Sequence, residues 1–356
     1  MRTVLAAAVG LLVLAGCGGT RGPAVLHFGM EDAPEGRRIL FPQPPEVPRF
    51  MYAGQLVGES NFRVPGAEQR GAFERFWRAL IGLDAAEARP TVLQRPVAGS
   101  VDESGRIYVT DASRQAVFVF DEKVGELLVW EKARGLTPFA SPVGVAPGPD
   151  GGIFVADAEL GFVAQLDRSG NPVREIGSTL LKRPAGIARD AEQKLLYVAD
   201  THAHDVKVFD EQGRLVQLIG RRGEGNGEFN FPTHVAFARG ELYVTDTMNS
   251  RIQVFSAGGE LLERKFGERG LYVGNLVRPK GVAVDDEGHV YVVESYYDHL
   301  LVFSHGGQFL LPIGGTGQAA GRFFLPAGVW VDGRNRVFVA DMFNGRVIVF
   351  QFLGDG

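Results

Sequence analysis

Short runs of alternating apolar and polar residues recur along the chain from about residue 95 onward, and one run in each cycle closes on an acidic residue. These runs are IYVTD, IFVAD, LYVAD, LYVTD, VYVVE and VFVAD, ending at Asp111, Asp157, Asp200, Asp246, Glu294 and Asp341. A marker proline precedes each acid by 14 to 16 residues: Pro96, Pro142, Pro184, Pro232, Pro279 and Pro326. The markers lie 46, 42, 48, 47 and 47 residues apart. The chain is therefore a sixfold internal repeat.

Each repeat predicts four short strands separated by turns such as DEQGR and DDEGH. A single unit of this size has two apolar faces and buries neither of them alone. Six units stacked radially bury both faces and remove most exposed strand edges. We therefore predict an all-β fold, a six-bladed β-propeller of four-stranded blades.

The last repeat lacks its fourth strand, because the chain ends shortly after RVIVFQF. The stretch RFMYAGQLV, residues 49–57, matches the pattern of the fourth strands LVQLIG and LLPIGG. We predict that this stretch completes the last blade and closes the ring.

The core D-T-x-N-x-R-[IV]-x-V-F at residues 246–255 resembles the NHL-repeat family, and the resemblance covers residues 95–352. The glycine-rich stretches 220–232 and 314–326 resemble that family's connectors between blades. The recurring acids, with Asn249, Arg251, Asn344 and Arg346, are then expected to hold turns. A role repeated in every unit is a structural role more often than a catalytic one.

The first residues predict export. An apolar run from Val4 to Ala15 is too short to span a bilayer, and L-A-G-C places the single cysteine, Cys17, at its end. This junction resembles the bacterial lipobox, which implies cleavage before Cys17 and a lipid on its thiol. Gly18, rather than Asp, favours the outer membrane, facing the periplasm.

The chain then divides into a signal peptide (1–16), a proline-rich tether (17–48) and the propeller (49–356). A helical insert at about 67–83 has apolar residues at helical spacing. The formal net charge of −5 argues against nucleic acid as a partner. We expect an envelope protein or a small molecule as the partner, membrane contact through the lipid, and no cofactor.

We call the four strands of a blade a to d, in chain order. The b–c loops and the d–a connectors must then lie on one face of the propeller, here called the loop face. Apolar side chains in b–c loops are typical anchors of protein interfaces. The candidates of this kind are Tyr296, Tyr297, Met248 and Phe343. A cationic patch at the mouth of the central channel is a second prediction, formed by His234, Lys280, Arg278 and Arg183.

Metal chemistry has weaker support. NHL-like amidating lyases place zinc-binding histidines directly after the marker prolines, and that position holds no histidine here. His202 and His204 form an H-x-H beside Asp200, which is either a weak metal candidate or a hydrated loop. The sequence thus favours a lipid-anchored binding module. The alternative is a metal-dependent hydrolase or lyase, similar to gluconolactonase, acting in the central channel.

Overall fold

The computed structural model describes residues 24–30, 38–63 and 90–354. Six antiparallel sheets surround a central channel, each with strand a innermost, and in five of them strand d is outermost. Strands a are Pro96–Val101, Pro142–Pro147, Pro184–Asp190, Pro232–Ala238, Pro279–Val284 and Val329–Val331. Strands b are Ile107–Asp111, Ile153–Asp157, Leu195–Asp200, Glu241–Asp246, Val290–Glu294 and Arg336–Asp341. Strands c are Ala116–Asp121, Phe162–Leu166, Asp205–Asp210, Arg251–Ser256, His299–Phe303 and Arg346–Phe352. Strands d are Glu126–Trp130, Pro172–Ile176, Leu215–Ile219, Leu261–Phe266, Phe309–Gly314 and Phe50–Leu56.

Several short elements lie outside the blades. The paired short strands are Val25–Leu26 with Phe62–Arg63, and Lys132–Arg134 with Thr137–Pro138. Leu40–Phe41 adds a fifth strand outside Phe50–Leu56. Single 3₁₀ turns are Glu59–Asn61, Pro149–Gly151, Thr247–Asn249 and Met342–Asn344. The described residues contain no helix that is both long and apolar enough to cross a membrane.

The core consists of six apolar clusters, and each cluster lies between two adjacent blades. Strands b and c are buried on both faces, so their sequences read as nearly continuous apolar runs. At the seam between the last and first blades, Phe338 and Val349 of blade 6 pack with Phe118 of blade 1. Every blade therefore depends on both neighbours for its burial.

The acid at the end of each strand b accepts backbone N–H groups of the preceding connector, and in blades 1, 2 and 5 it also accepts N–H groups of the b–c loop, as expected of a turn-capping side chain. One carboxylate oxygen of Asp111 accepts the backbone N–H groups of Gln94 (2.6 Å) and Arg95 (2.9 Å). Its other oxygen accepts the N–H groups of Ser113 (3.0 Å) and Arg114 (2.9 Å) in the b–c loop. The carboxylate thus fixes both segments of the loop face at once.

Blades 4 and 6 strengthen this joint with the predicted side chains. Asn249 Nδ2 and Arg251 Nε each donate to Asp246 Oδ2 at 2.8 Å. Asn344 and Arg346 make the equivalent bonds to Asp341. The structural role predicted for these residues is therefore confirmed.

The strand predicted to close the ring lies in the predicted place. Phe50–Leu56 pairs antiparallel with Arg346–Phe352, with Phe50 opposite Phe352 and Leu56 opposite Val347. Phe50 is 1% exposed and contacts the rings of Phe352 and Tyr291. The outer strand of blade 6 thus comes from the opposite end of the sequence.

The described parts of the predicted tether lie against the propeller, which differs from a free spacer. Phe28 contacts Phe338 of blade 6 edge-on, with ring centroids 6.5 Å apart. Phe41 contacts Phe350 of the same blade edge-on, with ring centroids 5.7 Å apart. Apolar residues between the prolines therefore give this segment a surface to pack on. The predicted helical insert, about 67–83, lies outside the described residues.

We predict that Phe50→Ala destabilises the fold by about 3–5 kcal/mol, because it leaves a cavity where the closing strand meets blade 6. Chemical denaturation of the purified domain measures this free energy. Val47→Ala is the matched control, since Val47 precedes the same strand and is 61% exposed. Equal stability of the two variants would contradict a stabilising role for the closing strand.

Candidate functional site

The loop face carries every candidate residue that the structure describes, because antiparallel strands bring all b–c loops and d–a connectors to one end of the blades. The opposite face carries the a–b and c–d turns. Cys17 lies outside the described residues. The candidates on the loop face separate into an apolar group and a cationic group.

Tyr296 and Tyr297 lie beside an apolar connector that the sequence reasoning missed. In the connector between blades 4 and 5, Leu271 and Tyr272 are 85% and 83% exposed, and Val273 follows them. With Tyr297 these residues line a cavity of ≈ 70 Å³. We call Leu271, Tyr272, Val273, Tyr296 and Tyr297 the tyrosine patch. A signal was present: LYV stands where the other glycine-rich connectors have polar or small residues.

The distribution of tyrosines sets this patch apart. The chain has eight tyrosines. Five are buried in the blades: Tyr52, Tyr108, Tyr197, Tyr243 and Tyr291. The remaining three are all in the tyrosine patch, where the rings of Tyr296 and Tyr297 meet edge to face with centroids 5.0 Å apart. Such a concentration of amphipathic rings is typical of a binding surface.

Met248 and Phe343 lie on the same face but in different surroundings. Met248 is 52% exposed and borders a shallow cavity with Arg251 and Arg269. Arg269 lies at the start of the connector between blades 4 and 5. Phe343 packs edge-on against Phe324, and the Arg95 guanidinium lies 6.0 Å from its ring. The four predicted anchors therefore do not form a single cluster.

The cationic residues stand where innermost strands begin at the loop face. Arg183 and Arg278 directly precede the marker prolines of blades 3 and 5, and Arg95, which the sequence reasoning missed, precedes that of blade 1. Lys280 follows Pro279 on an innermost strand and is half-buried. Burial lowers the pKa of Lys280, and the charges of Arg278 and Arg95 lower it further.

His234 occupies a position that is glycine in four other blades and lies near Lys280. The residue is half-buried, yet both ring nitrogens are shielded from solvent and have no hydrogen-bond partner among the described residues. Burial, and then the charge of Lys280, lower the pKa of His234 to about 3. At neutral pH the ring is therefore uncharged, with one nitrogen able to donate and one able to accept.

His202 and His204 do not converge on a common point as metal ligands would. His204 Nδ1 accepts the backbone N–H of Phe231 at 3.2 Å, whereas His202 is exposed. The ammonium of Lys207 lies between Asp200 (2.9 Å) and Asp205 (2.6 Å) and forms an ion pair with each. Within the described ranges, no three His, Cys, Asp or Glu side chains come together as a metal site would require.

We predict that His234 makes stability fall as the pH drops. An unfolded histidine has a pKa of about 6.5, so between that value and about 3 the unfolded chain binds a proton that the folded chain excludes. The stabilising contribution of the neutral His234 ring is complete above this pH range and is progressively lost as the pH falls through it. Between pH 7.5 and 5, one such group lowers the free energy of unfolding by about 2 kcal/mol.

Urea denaturation at these two pH values, on the protein and on His234→Gln, measures the difference. The variant should lose less stability on acidification, because carboxylate titration is common to both proteins. His202→Gln replaces an exposed histidine and should behave like the unmodified protein. An unchanged pH dependence in His234→Gln would disprove the prediction.

Comparisons with known proteins agree with this architecture. A family model described as "6-bladed beta-propeller" matches residues 178–270 and 275–355. Protein brain tumor of Drosophila melanogaster is 32% identical over 134 residues, which are 37% of this chain but only 12% of that protein. Human NHL-repeat-containing protein 4 is 33% identical over 124 residues, which are 34% of this chain and 94% of that protein.

A solved streptogramin B lyase superposes with a TM-score of 0.55 at 13% identity, over 73% of this chain and 94% of that one. At this identity the likeness is one of fold alone. The repeat, the closed ring of six blades and the relative that is matched over nearly its whole length lead to one conclusion: the chain belongs to the NHL-repeat proteins with a six-bladed β-propeller.

Proposed function

We propose that this protein is a lipid-anchored binding module of the bacterial envelope, and that it docks a protein partner on the tyrosine patch. The observation that carries the proposal is the patch itself, with three aromatic or aliphatic side chains that are more than half exposed and follow one another in a connector. Solubility alone favours polar residues at such positions. Contiguous apolar exposure of this kind marks interaction surfaces.

The patch is held in shape before any partner binds. The backbone N–H of Tyr272 donates to Asn275 Oδ1 at 3.0 Å, and Asn275 N–H donates back to Tyr272 O at 3.0 Å. In the neighbouring loop, Tyr296 N–H donates to Glu294 Oε1 at 2.9 Å. Because these bonds fix both loops, binding costs less ordering entropy than a mobile surface would.

The cavity beside Tyr297 defines the chemistry of the partner. Its volume of ≈ 70 Å³ and its lining by Tyr272, Val273 and Leu301 suit an aliphatic side chain rather than a large cofactor. Tyr296, which is 56% exposed and whose ring contacts that of Tyr297, adds a hydroxyl for polar contacts. The partner we propose is a protein segment that presents an aliphatic anchor to this cavity.

The lipid anchor would point the loop face away from the membrane. Ala24, the first described residue, packs against Gly125 in the c–d turn of blade 1, so the chain reaches the domain on the face opposite the loops. If Cys17 carries the lipid, only residues 18–23 lie between it and Ala24, a distance of at most about 25 Å. This argues for a protein partner rather than the bilayer at the tyrosine patch.

The metal-dependent hydrolase or lyase stays an alternative prediction. No cluster of ligands in the described residues supports it, and the acid of each strand b is used by turns. The structure therefore offers the binding function more support.

We predict that replacing Tyr296 and Tyr297 together by alanine reduces capture of the envelope partner at least tenfold while the domain stays folded. Loss of two aromatic anchors at the centre of an interface typically costs more than 2 kcal/mol. Crosslinking in intact cells followed by recovery of the protein identifies the partner, and titration of the purified pair gives the affinity.

Leu271→Ala and Leu136→Ala form a matched pair for the same assay. Both leucines are more than 80% exposed and lie in connectors between blades, but Leu136 belongs to the connector between blades 1 and 2. Only Leu271→Ala should weaken binding. Equal binding by the tyrosine double variant and the unmodified protein would place the docking surface elsewhere.

We also predict that Cys17→Ser abolishes labelling of the protein with radioactive palmitate, because the thiol that would carry the lipid is lost. Recovery of the protein from labelled cells measures this incorporation. Equal incorporation by Cys17→Ser and the unmodified protein, or none by the unmodified protein, would contradict the lipid anchor.

A further inference from the structure

Three arginines occupy equivalent positions around the channel mouth. Arg95, Arg183 and Arg278 directly precede the marker prolines of blades 1, 3 and 5, and each of these prolines pairs with the acid of its own strand b in the same register. The three residues therefore lie at the same level on alternate blades. In a closed ring of six blades, alternate positions form a triangle around the axis.

The backbone of each arginine is fixed, but its side chain is exposed. The N–H groups of Arg95, Arg183 and Arg278 donate to Asp111, Asp200 and Glu294 at 2.9, 2.8 and 3.0 Å. These carboxylates are occupied by the backbone. The equivalent positions in blades 2, 4 and 6 hold Ser141, Phe231 and Leu325, so no acid alternates with the arginines.

Lys280 lies one residue inside the marker proline of blade 5 and adds a fourth cation. Among the described residues, neither Lys280 nor any of the three arginines forms an ion pair. Other buried or half-buried cations of the chain do, such as Lys207 with Asp200 and Arg346 with Asp341. A half-buried ammonium without a counter-ion is costly and calls for a ligand that supplies one.

His234 lies near Lys280 on the neighbouring blade and supplies no counter-ion to it. Its ring is uncharged at neutral pH, and both ring nitrogens are shielded from solvent without partners among the described residues. The whole chain is acidic, with a net charge of −5, so this concentration of cations is local rather than a general property of the surface.

We infer that the mouth of the channel is a binding site for a compact multivalent oxyanion, either a phosphate or a polycarboxylate. Lys280 would contact the anion from inside the channel, and the guanidinium groups of Arg95, Arg183 and Arg278 would contact it from the rim as bidentate donors. This site is separate from the tyrosine patch, and the inference does not depend on the proposed function.

The test is isothermal titration of the whole folded domain with inorganic phosphate and, separately, with citrate at low ionic strength. We expect dissociation constants below about 1 mM for at least one of them. Binding of phosphate alone assigns the site to phosphate compounds, and binding of citrate alone assigns it to polycarboxylates. No heat from either anion at this concentration would overturn the inference.

The variants separate a built site from general charge. Lys280→Met and Arg95→Gln should each weaken binding at least tenfold, and Arg95 is exposed, so its replacement leaves the core intact. Arg214→Gln removes the same charge from a c–d turn on the opposite face and should bind like the unmodified protein. Equal weakening by Arg214→Gln would overturn the inference, because it would show nonspecific attraction.

A stability measurement gives an independent readout. In anion-free buffer Lys280→Met should melt at a higher temperature than the unmodified protein, because a half-buried charge without a partner has been removed. Added phosphate or citrate should then raise the melting temperature of the unmodified protein more than that of Lys280→Met, since general stabilisation by these anions is common to both. A lower melting temperature for Lys280→Met in anion-free buffer would contradict the uncompensated charge on which the site rests.

Discussion

Closure of the ring is the constraint on which the rest of the structure depends. Each of the six apolar clusters is shared by two blades, so no blade has a complete core of its own. Phe50–Leu56 completes blade 6 as its fourth strand, and Leu56 joins the apolar cluster at the last seam. This arrangement gives a rigid frame on which loops with little regular structure of their own keep fixed positions.

The acid at the end of each strand b connects that frame to function. Its carboxylate satisfies N–H groups of the connector in every blade and, in blades 1, 2 and 5, N–H groups of the b–c loop as well, which orders the loop face. The same use removes these acids from chemistry. It also leaves the rim arginines without counter-ions, since the nearest carboxylates already have backbone partners. The positive charge at the channel mouth is thus a consequence of using these carboxylates to hold the loops.

The sequence predicted what repeats and missed what does not. The strand period, the marker prolines and the acids recur in every unit, so the blades, their order and the closing strand followed from spacing. Leu271–Val273 belong to a single unit, where a pattern has nothing to match. Blade 3 shows a different difficulty, because Asp205 stands where blade 4 has Arg251, and Lys207 supplies the missing cation from the next position along that face. Such compensation between neighbouring strands becomes visible only when the pairing is known.

The N-terminal segment was also misjudged in part, because proline content predicts extension but not contact. Phe28 and Phe41 contact apolar partners on blade 6, which makes the segment an outer layer of that blade.

The closing strand has a consequence for the order of assembly. Residues 50–56 are synthesised early, yet their partner strand, residues 346–352, is among the last to emerge. Throughout synthesis the ring therefore stays incomplete, with one unpaired edge at each end. Only when residues 50–56 pair with residues 346–352 does every blade have two neighbours, so that the domain can unfold as a single cooperative unit.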